Sequence, residues 1–345
     1  MSFNKFWIFC LLGIFLSIGT VSSLDILGAG ATFPLPLYTK MFNSYKQSTG
    51  IQVNYQGIGS GGGIRSLLDR TVDFGGTDAF MSEEEMSKAE NNQILHIPTC
   101  LGAIVVTYNL PGNPTLKLTS EVVSDIFLGK ITKWNDDKIS QLNPGVELPD
   151  MDIIVVHRSD GSGSTFIFSD YLCKVSKEWE ETVGRGKSLE WPTGLGASGN
   201  PGVAGLVKST PGAVGYVELI YALSNDMPTA HIKNKSGNFI QPSIESVSAS
   251  ANVALPVDMR VSITNTDASN GYPISGFTWI ILYQEQNYNN REKTRAEEVV
   301  NLIWWMIHDG QSHNTPLHYA PLPDEAVRNA EIILKSITYN GSPLL

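Results

Sequence analysis

Cysteine, histidine and positive charge are scarce in this chain. Its 345 residues include three cysteines, one of which, Cys10, lies in an N-terminal apolar run. The other two, Cys100 and Cys173, are too few for the disulfide framework that staples small exported domains. Both are expected to be buried free thiols. The six histidines, at 96, 157, 231, 308, 313 and 318, show no HExxH or comparable ligand spacing, so no metal site and no cofactor are implied. Lys and Arg number 24 against 34 Asp and Glu, a formal net charge of −10. That balance excludes a nucleic-acid binder, whose affinity comes from neutralising phosphates with Lys and Arg. It also opposes long-range attraction of any anion, so an anion site here must work through short-range dipoles and hydrogen bonds.

A long apolar run occurs only once. Residues 6–16, behind Lys5 and ahead of Gly19-Thr20-Val21-Ser22-Ser23, have the charged start, apolar core and small-residue exit of a secretory signal peptide. Cleavage is expected after Ser23; an uncleaved membrane anchor is the alternative. Losing Lys5 would take the net charge to about −11. No later stretch is apolar for long enough to span a bilayer, so an exported, soluble mature chain is expected.

Small residues, by contrast, are concentrated at particular places. Arg158-Ser159-Asp160-Gly161-Ser162-Gly163-Ser164-Thr165 follows an apolar strand-like run, 153–156, and precedes a helix-spaced run from Phe166. Small residues let backbone approach a guest closely, and Ser and Thr are favoured helix N-caps. The first N–H groups of a helix lack internal partners and lie at the positive end of its dipole, which makes a helix start an anion site. The same grammar recurs at Gly28-Ala29-Gly30-Ala31-Thr32-Phe33 and at Gly57-Ile58-Gly59-Ser60-Gly61-Gly62-Gly63. Three such turns, each with a hydroxyl, can converge on one anion.

Elements alternate along the chain. Strands are expected at 25–27, 51–55, 72–74, 94–98, 153–156 and 213–217. Helices are expected at 36–49, 62–70, 82–90, 119–128, 165–179, 202–209, 293–308 and 323–336. This alternation describes open α/β sheets with ligand-binding turns at strand C-termini. Two extended apolar runs, 101–108 and 274–283, are expected to cross between two α/β lobes, with a ligand between them. The stretch 247–258 reads as irregular.

Arg158, at a strand end before a Gly/Ser turn, is expected to offer its planar donor fork to an oxyanion, oriented by Asp160. Asp78, in Asp73-Phe74-Gly75-Gly76-Thr77-Asp78, suits an anion site only if the anion carries a proton to donate; otherwise it is a helix cap. Phosphate carries such a proton at neutral pH and sulfate does not. Gly184-Arg185-Gly186-Lys187-Ser188 resembles the end of a phosphate-binding P-loop, but Glu181 stands where the first Gly must be. Ser162 lacks the GxSxG setting and a local base for a nucleophile.

Taken together, these motifs resemble the periplasmic phosphate-binding proteins that serve ABC-type phosphate importers. Ile126-Phe127-Leu128-Gly129-Lys130-Ile131-Thr132-Lys133-Trp134-Asn135 and Pro211-Gly212-Ala213-Val214-Gly215-Tyr216-Val217-Glu218 extend the likeness over essentially the whole mature chain. The resemblance implies a type II-like periplasmic-binding-protein clamshell, each lobe a sheet flanked by helices. Lobe I would be 24–103 with 277–345, lobe II 104–276, and the hinge strands would lie near 100–107 and 273–280. It further implies a dehydrated inorganic phosphate held by Thr32, Phe33, Ser60, Asp78, Arg158, Ser162, Gly163 and Ser164, with Asp160 behind Arg158. A monomer in the periplasm would pass phosphate to a permease and ATPase complex in the inner membrane. Ser164 stands where the family commonly has Thr, and the second Ser often found after Ser60 is missing. An exported phosphoesterase using Ser162, or a binder of another oxyanion or organic phosphate, is the alternative.

Overall fold

The computed structural model describes residues 25–345; the expected signal peptide lies outside them. The chain opens with β1 (Asp25–Gly30), α1 (Leu35–Thr49), β2 (Gln52–Gly57), α2 (Ser60–Leu68), β3 (Phe74–Thr77), α3 (Glu83–Ser87) and β4 (Ile94–Tyr108). The local reasons are legible. In α1, Leu37, Tyr38, Met41, Phe42 and Tyr45 fall on one face at helical spacing and are all buried. The helix ends at Gly50, whose φ of 79° is the left-handed cap conformation and whose N–H returns to Lys46 O.

The strand β4 is fifteen residues long and buried throughout. It fuses the two runs that the sequence separates at Thr99 and Cys100. The polar interruption is satisfied inside the core, because Thr99 Oγ1 bonds Tyr38 OH at 2.8 Å. Cys100 lies buried within this strand, while Cys173 is only half-buried; both are free thiols.

After β4 come α4 (Ser120–Phe127), β5 (Ile154–Arg158), α5 (Gly163–Val175), α6 (Lys177–Thr182), β6 (Leu195–Ala197), α7 (Gly199–Ser209) and β7 (Ala213–Glu218). Then follow α8 (Ile244–Ser250), β8 (Ser275–Tyr283), α9 (Lys293–Ile307) and α10 (Asp324–Lys335). Three expectations need correction, and one short strand adds to them. The helix expected at 165–179 breaks at Ser176, whose hydroxyl accepts the Trp179 N–H and starts α6. The stretch read as irregular from 247 contains the end of α8, a helix built on a Ser243–Ser246 capping box. The strand expected at 72–74 occupies Phe74–Thr77, so it runs straight into Asp78. Short β6 was not foreseen; three residues carry too little periodicity to be read.

The eight strands form one hydrogen-bonded order, β2-β1-β3-β8-β4-β7-β5-β6. The strand β4 carries both halves: Ile94–Ala103 pairs antiparallel with β8, and Ile104–Tyr108 pairs antiparallel with β7. On one side β1 is parallel to β2 and β3; on the other β5 is parallel to β6 and β7. The C-terminal ends of each parallel set therefore share an edge, where open α/β sheets bind ligands. Among the described residues no helix is long and apolar enough to cross a membrane.

Candidate functional site

Four helices begin at the facing strand ends. The three turns singled out in the sequence lead into α1, α2 and α5, and a fourth, at Ser198-Gly199-Asn200, leads into α7. They meet across the cleft. Gly61 N–H donates to Gly161 O at 2.9 Å, joining the second and third turns. Gly163 N–H donates to Ser60 Oγ at 3.1 Å, and Asn200 N–H to Thr32 Oγ1 at 3.0 Å. This closeness requires the absence of side chains. A Cβ on Gly163 would lie 2.5 Å from Ser60 Oγ and 2.6 Å from Asp78 Cβ. Gly59 has a φ of +80°, and a Cβ there would lie 2.4 Å from Asp160 Oδ2. The convergence supplies positive dipole ends without net charge, as an acidic chain needs.

Arg158 ends β5 with its side chain almost wholly buried. Nε donates to Asp160 Oδ1 at 2.7 Å and Nη2 to Asp160 Oδ2 at 2.5 Å, a bidentate fork that fixes the guanidinium plane and leaves three N–H donors. Asp160 Oδ1 also accepts from Gly199 N–H at 3.0 Å. Burial pushes the Asp160 carboxyl up, but Arg158 and these N–H groups outweigh it and hold the acid below its ordinary range. Behind them, Tyr216 OH receives the Arg158 N–H at 3.2 Å and bonds Thr165 Oγ1 at 2.6 Å, tying the strand end to the start of α5.

Asp78, 2% exposed, is the carboxylate at the centre. Oδ1 accepts from Thr278 Oγ1 at 2.8 Å, while Oδ2 faces Ser60 Oγ at 3.4 Å. Burial raises its pKa from 3.8 to about 7; Thr278, the Arg158 charge and Ser60 pull the other way without prevailing. A carboxyl poised at that value is a proton-sharing group, able to accept from a ligand O–H.

Thr32, Phe33, Ser60, Asp78, Arg158, Asp160, Ser162, Gly163 and Ser164 are thus brought to one place. Thr32 and Phe33 are held by tyrosines: Tyr221 OH donates to Thr32 O and Tyr319 OH to Phe33 O, at 2.5 and 2.6 Å. Ser162 Oγ accepts from Thr165 N–H at 3.1 Å and caps α5. The neighbouring imidazole, His157, is stacked on Trp191 at 4.8 Å.

The sequence reading missed Asn200, Thr278, Tyr221 and Tyr319. Of these, Asn200 had a readable signal, because Ser198-Gly199-Asn200-Pro201 repeats the small-residue turn before a helix. Thr278 and Tyr221 stand in apolar runs and Tyr319 in a Pro-flanked loop, and only the fold turns their hydroxyls toward the site. The cleft is also bridged at its rim: Lys187 Nζ pairs with Glu85 Oε2 at 2.8 Å and Arg260 Nη1 with Glu83 Oε1 at 2.7 Å.

Comparisons with known proteins identify the family and the fold. A family model described as "PBP superfamily domain" matches residues 18–309. Phosphate-binding protein PstS of Pasteurella multocida is 44% identical over 317 residues, covering 90% of both chains. PstS of Methanocaldococcus jannaschii is 38% identical over 333 residues, covering 89% of this chain and 85% of its own. In the crystal structure of a phosphate-binding protein from Stenotrophomonas maltophilia the fold recurs with a TM-score of 0.70 at 19% identity, over 89% of this chain and 93% of that one. The two-lobed clamshell is therefore the fold of this chain. The relatives are named as phosphate-binding proteins, which with the capping role of Ser162 disfavours the phosphoesterase alternative. The chain belongs to the PBP superfamily and, within it, to the family of PstS phosphate-binding proteins.

Proposed function

We propose that this protein captures inorganic phosphate in the periplasm, after removal of residues 1–23, and as a monomer delivers it to the permease and ATPase of an ABC-type importer. The observation that carries the reading is the cleft's chemistry: donors from four helix starts and one buried guanidinium surround a single acceptor, Asp78, whose pKa is about 7. Such a cage fits an oxyanion that is an acceptor everywhere except at one proton. In this reading Thr32 and Phe33 contribute backbone N–H groups and the Thr hydroxyl, and Ser60, Ser162 and Ser164 contribute hydroxyls. Arg158 gives the charged fork, Gly163 at the start of α5 and the dipole of that helix close the shell, and Asp78 takes the ligand proton. Sulfate meets the Asp78 carboxylate with no proton between them, a repulsion of the kind specificity depends on.

The lobes are taken as 24–103 with 277–345 and as 104–276. The partner exchange of β4 between Ala103 and Ile104 supports that division. The lobes hinge on β4 and on the start of β8, and closure reports occupancy to the permease. The test is calorimetric titration of phosphate-stripped protein with phosphate and then sulfate from pH 5 to 9. One-to-one phosphate binding with no sulfate heat is expected. Equal binding of both ions would remove Asp78 from its role, and binding of neither would overturn the assignment.

A further inference from the structure

We infer that Asn200 is a positioning residue that makes the Thr32 hydroxyl an obligatory donor toward the bound anion and turns the Ser164 hydroxyl proton away from itself, toward that anion. The inference deepens the phosphate-binding reading above and rests on it.

A hydroxyl has one proton to give and two lone pairs to receive with. Thr32 Oγ1 receives two N–H groups from Asn200, the backbone N–H at 3.0 Å and Nδ2 at 3.1 Å. Both lone pairs are thereby taken, and the only role left to that hydroxyl is to donate. Ser164 Oγ receives the second Nδ2 proton at 3.2 Å, so its own proton is likewise turned away from Asn200. The amide cannot reverse this polarity by flipping. Asn200 has one acceptor oxygen, and Glu218 N–H occupies it at 3.0 Å; a flip would set N–H against N–H. Asn200 is fully buried, so water does not offer an alternative partner.

Ser60 is also saturated on its acceptor side, and its proton faces Asp78 Oδ2 at 3.4 Å. Its Oγ accepts from Asp78 N–H and from Gly163 N–H, both at 3.1 Å. Thr32 comes from one side of the cleft, Ser164 and Asn200 from the other, so the two Asn200–Thr32 contacts form only when the sides meet, while the Asn200–Ser164 contact lies within one side. Asn200 therefore does two things at once: it bridges the closing halves, and it fixes which way two hydroxyl protons point. An isolated hydroxyl is ambivalent and would serve a ligand O–H as readily as a ligand oxygen. A hydroxyl saturated on its acceptor side discriminates for oxygen acceptors, leaving the single proton of the ligand to Asp78 Oδ2.

A double-mutant cycle on phosphate affinity tests this, because positioning through two hydroxyls must vanish when those hydroxyls are gone. Asn200→Ala is expected to weaken phosphate binding about tenfold, the loss of oriented hydrogen bonds. In a Thr32→Val/Ser164→Ala background, adding Asn200→Ala is expected to change affinity by less than about threefold. The same factor in both backgrounds would show a role independent of the hydroxyls and overturn the inference. If Asn200→Ala does not fold by circular dichroism, Asn200→Ser goes through the same cycle with the same criterion. A parent protein that binds no phosphate would instead overturn the underlying reading, so the two failures are distinguishable.

Discussion

Replacing Asp78 by Asn tests the site at its centre. The carboxyl pKa stands at about 7 against an ordinary 3.8, a gap of about three pH units at 1.36 kcal/mol each. Closing the cleft on an ionised Asp78 above pH 7 therefore costs about 4 kcal/mol, which a ligand bringing its own proton relieves and sulfate does not. The Asn side chain carries no charge and presents N–H where Oδ2 stood, while its carbonyl can keep the Thr278 hydroxyl. Sulfate gains what the charge withheld, up to about three decades of affinity. Phosphate loses a charge-assisted acceptor, about 2 kcal/mol or some thirtyfold. Titration at pH 8 should show the phosphate/sulfate ratio narrowing by at least about a hundredfold. A ratio within threefold of wild type would refute the argument. Unfolding gives a second readout. Between about pH 4 and 7 the folded carboxyl keeps a proton that the unfolded chain has released, so stability contributed at low pH is lost as pH rises through that window. Wild type should lose stability relative to Asp78→Asn over this interval; parallel curves would contradict the shift.

Three further outcomes are expected. Lys187→Ala removes the rim pair to Glu85, both side chains about one-fifth exposed, and should weaken phosphate about threefold to fivefold, with the difference shrinking as salt is raised. Gly163→Ala puts a methyl 2.5 Å from Ser60 Oγ and should reduce phosphate affinity by about ten- to a hundredfold in titration, the usual cost of overpacking. His96, whose Nε2 accepts the Met81 N–H at 3.0 Å, has its pKa lowered by burial to about 3. Its contribution is complete above pH 6.5 and disappears as pH falls toward 3, so His96→Gln should flatten acid unfolding measured by circular dichroism across that range.

The turns were readable because their grammar is local. A strand run, a Gly/Ser turn and a helix-spaced run are neighbours in the chain, and the physics of a helix start acts within one turn. Arg158 and Asp160 lie two residues apart, so their fork could be expected from the sequence. The alternation of elements and the two crossing runs are likewise periodicity, legible in windows of ten to fifteen residues. Boundaries slipped where a local signal was weak: at Ser176 inside a long helical run, at β6, and in α8, whose small residues hide its capping box.

The sequence by itself determined which turns can offer donors and that the chain must bind anions without net positive charge. The tertiary structure decided the rest. It joined two runs into β4 and let that strand change partners between Ala103 and Ile104. It brought Thr278 to Asp78 across 200 positions and Asn200 to Thr32 across 168. The pKa of Asp78 is the clearest case, since it depends on desolvation by everything packed around the carboxyl. Burial and hydroxyl polarity belong to neighbours in space, and no stretch of chain contains enough of those neighbours to fix them.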